Sequence, residues 1–152
     1  MNRDAIEETN YLANPGCFAT AIQLSLLPLA EARLLTADIH VNAITGSTGA
    51  GQEPKPTTHF SWRNNNISIY KAFSHQHLGE INQSVHQLQP DYKGSINFLP
   101  VRGNFPRGIY ASVYTECELN ETEIIYLYEH FYDNDPFAVS YTHLTLPTTP
   151  YV

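Results

Sequence analysis

Cysteine, basic side chains and long apolar runs are all scarce in this 152-residue chain, and each scarcity narrows what it can be. The two cysteines, Cys17 and Cys117, lie far apart and in no CxxC pair. Neither a disulfide framework nor a cysteine-rich zinc site is suggested, no metal is expected, and a reducing, cytoplasmic setting fits. Lys and Arg together number 8 against 15 Asp and Glu, giving a net charge of −7. A chain so balanced has little to form a polyanion-binding face, which argues against nucleic acid as a partner. No stretch approaches the roughly 18 consecutive apolar residues of a membrane span, so none is expected. What remains is one domain's worth of chain, long enough to bury a core.

The stretch that organises it is Asn14-Pro15-Gly16-Cys17-Phe18-Ala19-Thr20. Pro15 presets its own φ, and Gly16 tolerates backbone angles a side chain would forbid, so the pair reads as a tight turn that delivers Cys17 to a helix start. Unpaired N–H groups and the helix dipole favour negative charge there, and the thiolate is the form that attacks carbonyl carbon. The alternative is a buried cysteine that merely closes the turn.

Apolar residues then recur at helical spacing from Phe18 to Leu35, with Pro28 expected to kink the run. Ile39 to Thr45 alternates as a strand, with His40 on its outer face as a solvent or cross-strand residue. It empties into Gly46-Ser47-Thr48-Gly49-Ala50-Gly51, which reads either as a plain turn or as a concavity of backbone N–H groups for an anion. Residues 52–66 read as a long surface excursion. A short strand is expected at Ile67–Tyr70, then His75-Gln76-His77 and a helix carrying Ile81, Val85 and Leu88, with Glu80 in its first turn. The histidine pair could be part of a metal site, incidental, or a general acid/base. No further ligand cluster is evident, and Cys17 needs a proton partner, which favours acid/base work by one of the two.

Ser95–Leu99 and Ile109–Thr115 read as strands. Between them Arg102 and Arg107 bracket a turn, either as an anion clamp or as solvated loop arginines. Asn120 with Glu123 has capping-box spacing, followed by an amphipathic stripe through Phe131.

Four stretches, in order, carry a resemblance: Asn14–Thr20, Gly46–Gly51, His75–Ile81, and Phe98–Arg102 running into Arg107-Gly108-Ile109. Together they resemble the N-acetyl-γ-glutamyl-phosphate reductases, an arginine-biosynthesis family related to the semialdehyde dehydrogenases. The resemblance implies an NADP(H)-dependent oxidoreductase that reduces an acyl phosphate through a cysteine thioester. It implies Cys17 as nucleophile and His75 or His77 as acid/base. It places Ser47, Gly49, Ala50 and Gly51 beside the coenzyme, and Asn14, Glu80, Arg102 and Arg107 around the substrate. The fold it implies is α+β: a mostly antiparallel sheet with helices on one face, like the catalytic domain of glyceraldehyde-3-phosphate dehydrogenase, working as a homo-oligomer. Residues 1–139 would be this catalytic and dimerisation domain. No GxGxxG follows a predicted strand, so a Rossmann half is expected to lie ahead of Met1, and the chain is expected to be an inactive fragment. Residues 140–152 show no recognisable continuation of the family's pattern and are expected to be a foreign tail. The alternatives are a related enzyme acting on aspartyl phosphate or a lysine-pathway acyl phosphate, and a non-catalytic dimerisation module.

Overall fold

The computed structural model describes residues 3–53 and 55–140. A short helix α1 (Arg3–Glu8) precedes α2 (Cys17–Glu31), and β1 (Ile39–Thr45) leads into a 3-10 turn at Ser47–Ala50. The excursion carries a 3-10 turn at Pro56–Thr58 and a single-turn helix α3 (Phe60–Arg63). Then come β2 (Ser68–Ile69), α4 (His77–Leu88), β3 (Ile96–Arg102), β4 (Ile109–Tyr114) and α5 (Glu121–Tyr132).

The architecture is α+β, with the strands in order β2-β3-β1-β4. Both outer pairings are antiparallel, but the central and longest, β1 with β3, is parallel and runs in register from Ile39↔Ile96 to Thr45↔Arg102. The sheet is therefore mixed. The reason is the connection: between Thr45 and Ile96 the chain crosses over through the excursion and α4, and such a crossover returns a strand in the same direction.

Alternation places Ile39, Val41 and Ala43 of β1 and Phe98 of β3 on the covered face. There they meet Phe18, Ile22 and Leu26 of α2 and Ile81 and Val85 of α4, all fully buried. The opposite face bears Ile44, Leu99 and Val101 with Tyr110 and Tyr114, and no described element packs over it. His40 is a cross-strand residue on that face, its ring stacked on Tyr114 at 5.2 Å.

The α2 helix runs uninterrupted through Pro28, where a kink was expected. Pro28 lacks the N–H that would bond the Leu24 carbonyl. That carbonyl accepts the Tyr132 hydroxyl at 2.7 Å, so α5 supplies the missing donor, and the neighbouring Ser25 carbonyl accepts the Tyr128 hydroxyl as well. The helix stops at Glu31, short of Leu35. Arg33 turns left-handed at φ 59°, and the bonds Arg33 N–H to Ala30 O and Leu34 N–H to Leu29 O close a Schellman cap. The capping box of α5 has both halves in place, at 2.9 and 3.1 Å.

The excursion is more ordered than its composition suggested. Buried Arg63 gathers it, donating to the carbonyls of Thr57, Asn66 and Arg102 and to the Ser68 hydroxyl. Residues 137–139 form no strand. Met1, Asn2 and nearly all of the expected tail lie outside the described residues.

Candidate active site

Gly16 shows how the start of α2 is built. Its backbone is ordinary extended chain, φ −65° and ψ 153°, so the glycine is not there for unusual angles, contrary to expectation. It is there for space: a Cβ would stand 2.3 Å from Nε2 of His77. The Gly16 N–H donates to Glu80 Oε2 at 2.8 Å, and its carbonyl accepts Thr20 N–H at 2.9 Å. The turn before the cysteine is thus clamped to the first turn of α4, and the imidazole of His77 lies directly on it. No side chain caps α2, so the N–H groups of Cys17 and the next two residues lack intrahelical partners.

Exposed Cys17 opens onto a cleft of about 330 Å³. His75 and His77 form one wall, with ring centroids 4.6 Å apart. Thr45 and Arg102, paired at the carboxyl ends of the two parallel strands, form another, and Gly49 and Ala50 lie along its edge. Lys55, Tyr70 and Lys71 complete it.

The two histidines differ in kind. His75 is 4% exposed and is packed edge-on by Phe18, Tyr70 and Phe98. Its Nδ1 accepts the His77 backbone N–H at 3.2 Å. Burial, followed by the nearby positive charge of His77 and Lys71, pushes its pKa down to about 4. His77 is half-buried beside the cysteine turn, and its buried Nδ1 has no partner among the described residues.

The arginines also separate. Arg102 reaches the cleft with its guanidinium 4.7 Å above the Tyr70 ring, one arm on Thr57 Oγ1, and its buried Nε free. Burial raises the Tyr70 pKa against the opposing influence of that arginine, keeping the phenol protonated. Arg107 is exposed and outside the cleft, as are Asn14 and Gly51; half-buried Ser47 also lies outside it, while Glu80 is engaged on Gly16.

The glycine-rich loop is less open to an anion than its sequence suggested. The N–H groups of Gly46, Ser47 and Thr48 donate to carbonyls at Gly108, Phe105 and Pro106, and that of Gly51 to Thr48. Gly46 is held so closely that a Cβ would meet the Pro106 carbonyl at 2.5 Å. The loop is chiefly stitched to the turn between β3 and β4, leaving Gly49 and Ala50 toward the cleft. A flat ring could lie against these two small residues. None of the described His, Cys, Asp and Glu groups is arranged to hold a metal ion.

Lys55 and Lys71 were not singled out from sequence. With Arg102 they bring three of the chain's eight basic residues to one cleft. Their scarcity in an acidic chain was the available signal, but no spacing rule says which lysines converge.

An exposed helix-start cysteine, a histidine pair and converging cations on a mixed α+β sheet define a domain of the semialdehyde dehydrogenase type. Residues 17–152 match the family described as semialdehyde dehydrogenase, dimerisation domain, and the chain belongs to it. It is similar, at 60% identity over 138 residues, to the N-acetyl-gamma-glutamyl-phosphate reductase of Parabacteroides distasonis, covering 91% of this chain and 43% of that protein. The enzymes of the same name from Flavobacterium johnsoniae and Phocaeicola vulgatus are 59% and 57% identical, again over 91% of this chain, and over 42% and 43% of theirs. The chain thus spans less than half the length of these relatives.

Proposed function

We propose that this chain is the catalytic and dimerisation portion of a reductase that converts N-acetyl-γ-glutamyl phosphate to its semialdehyde. The observation that carries this reading is the convergence of Cys17, the histidine pair and three cations on one cleft in an otherwise acidic chain. An acyl phosphate with an α-carboxylate is a small polyanion, and such a cleft suits it.

Cys17 Sγ attacks the γ-acyl carbon, the bond from that carbon to the phosphate oxygen breaks, and a thioester forms on the protein. The free N–H groups at the start of α2 stand beside the sulfur to stabilise charge on the carbonyl oxygen. His77 is the proton carrier. It takes the thiol proton, hands it to the departing phosphate, takes up another from solvent, and gives that one to the sulfur as the aldehyde leaves. Its place over Gly16 and its uncommitted ring nitrogen support this role, whereas His75 is sealed and already accepts a hydrogen bond. A nicotinamide coenzyme, NADPH in this reading, supplies the hydride when bound. Gly49 and Ala50 leave room for its ring, while Arg102 with the lysines orients the anionic substrate. The uncovered outer sheet face fits a homo-oligomer contact, in keeping with the family's description.

In a protein of the relatives' full length, Cys17→Ser should lower turnover of N-acetyl-γ-glutamyl phosphate on the order of 10³-fold or more, with coenzyme binding nearly unchanged. Retention of a tenth of the activity would sink the covalent mechanism. Faster turnover of aspartyl phosphate would reassign the substrate.

A further inference from the structure

Lys71 combines features that a general orienting charge does not explain. It sits just after β2 in a left-handed backbone conformation, φ 46°, that side chains other than those of Gly, Asn and Asp seldom adopt. Phe73, two residues on, is left-handed as well, at φ 57°. The chain here turns sharply against the edge of β3, with Tyr70 N–H on Pro100 O and Phe73 N–H on Phe98 O. A glycine would meet this backbone demand with less strain, so the lysine side chain has to be explained by what it touches. Its Nζ donates to Gln76 Oε1 at 2.9 Å, which fixes the ammonium from the residue between the two histidines. Both Lys71 and Gln76 line the cleft onto which Cys17 opens. A fixed ammonium retains donors after bonding one amide oxygen, and no carboxylate pairs with it among the described residues.

We propose that Lys71, held by Gln76, is the phosphate-binding residue of the cleft and determines its preference for phosphorylated acyl groups. The proposal rests on the reading of the cleft as an acyl-phosphate site and adds which cation takes the phosphate. Of the two cations that remain, Lys55 and Arg102, the arginine suits the carboxylate. Its guanidinium is braced on Tyr70 and Thr57, and its planar fork suits two carboxylate oxygens. The sharp turn at 70–73 aims a compact, strongly hydrated charge at a dianion that must both bind and leave.

The test uses the chain itself with inorganic phosphate as the probe. Iodoacetamide labelling of Cys17, followed by peptide mass mapping with Cys117 as the internal reference, reads occupancy of the cleft. Phosphate should slow alkylation of Cys17 saturably in the unmodified chain. Lys71→Gly keeps the backbone conformation at ease while removing the ammonium. It should weaken protection roughly ten- to hundredfold, as expected for loss of a charged hydrogen-bonding partner, without lowering thermal stability. Lys71→Arg should restore most of the protection, and Lys93→Gln, outside the cleft, should leave it unchanged. Protection by phosphate within about threefold of the unmodified chain in Lys71→Gly, the size of an ordinary surface-charge effect, would overturn the proposal. So would the absence of any protection before substitution. If protection behaves as expected but the full-length protein does not reduce acyl phosphates, the assignment of Lys71 stands and the proposed reaction fails.

Discussion

At the scale of single residues, the two histidines make opposite predictions. His77→Asn should lose roughly 10²–10⁴-fold in kcat, the range for removal of a general acid/base. His75→Asn should retain most of its kcat and be felt in stability. A histidine whose folded pKa is about 4, against an ordinary value of 6.5, binds fewer protons folded than unfolded across that interval. Its contribution is therefore present above pH 6.5 and is lost as pH falls toward 4. Thermal melts over this window should show stability declining on acidification, with a shallower slope in His75→Asn. Equal, mild kinetic losses at both positions, or unchanged slopes, would contradict the division of roles. The sequence could place both imidazoles near a helix start, because adjacency in the chain sufficed for that. It could not rank them, since burial of His75 comes from Phe18, Tyr70 and Phe98, three separate elements. Gly16 was legible as necessary, but for the wrong cause. A glycine kept for a neighbour's volume looks the same in sequence as one kept for its angles.

At the scale of elements, α2 and α5 share an arrangement that contact area alone would not reveal. Pro28 frees the Leu24 carbonyl, and Tyr132 supplies the donor. Tyr132→Phe should cost about 0.5–1.5 kcal/mol, the usual net worth of a hydrogen bond. Pro28→Ala gives α2 its own N–H for that carbonyl, so in the Pro28→Ala background the Tyr132→Phe change should cost measurably less. Urea denaturation of the four proteins in this cycle would show it, and full additivity would mean that the hydroxyl does not replace the proline's missing donor. The four strands and the helices α2, α4 and α5 were readable from periodicity and capping, because those signals are local. The parallel pairing of β1 with β3 was not, since register between strands so distant in sequence is set by the crossover. Nor was the order within the excursion. Arg63 looks like any surface arginine until the carbonyls it collects are brought together.

At the scale of the whole molecule, the proposed reaction puts the reacting groups in this chain but gives the coenzyme only the edge at Gly49 and Ala50. Grip on the remote parts of a dinucleotide secures its reactive end. The 152-residue chain alone should therefore show no saturable NADPH binding at micromolar concentrations when nucleotide fluorescence is followed in a titration. Saturation in that range would show that Gly49, Ala50 and the cleft suffice.

The parallel pair has one more consequence. Because β1 and β3 point the same way, Thr45 and Arg102 end side by side, and the segments that follow both strands leave from one rim. Had the pair been antiparallel, those exits would lie at opposite ends of the sheet. As built, the glycine-rich loop and the turn after Arg102 are neighbours, already sewn together by backbone bonds. The core packed on the covered face of the sheet is built from a separate set of side chains. New specificities can thus be written on that rim by exchanging its two margins as a matched set, leaving the sheet and its helices untouched.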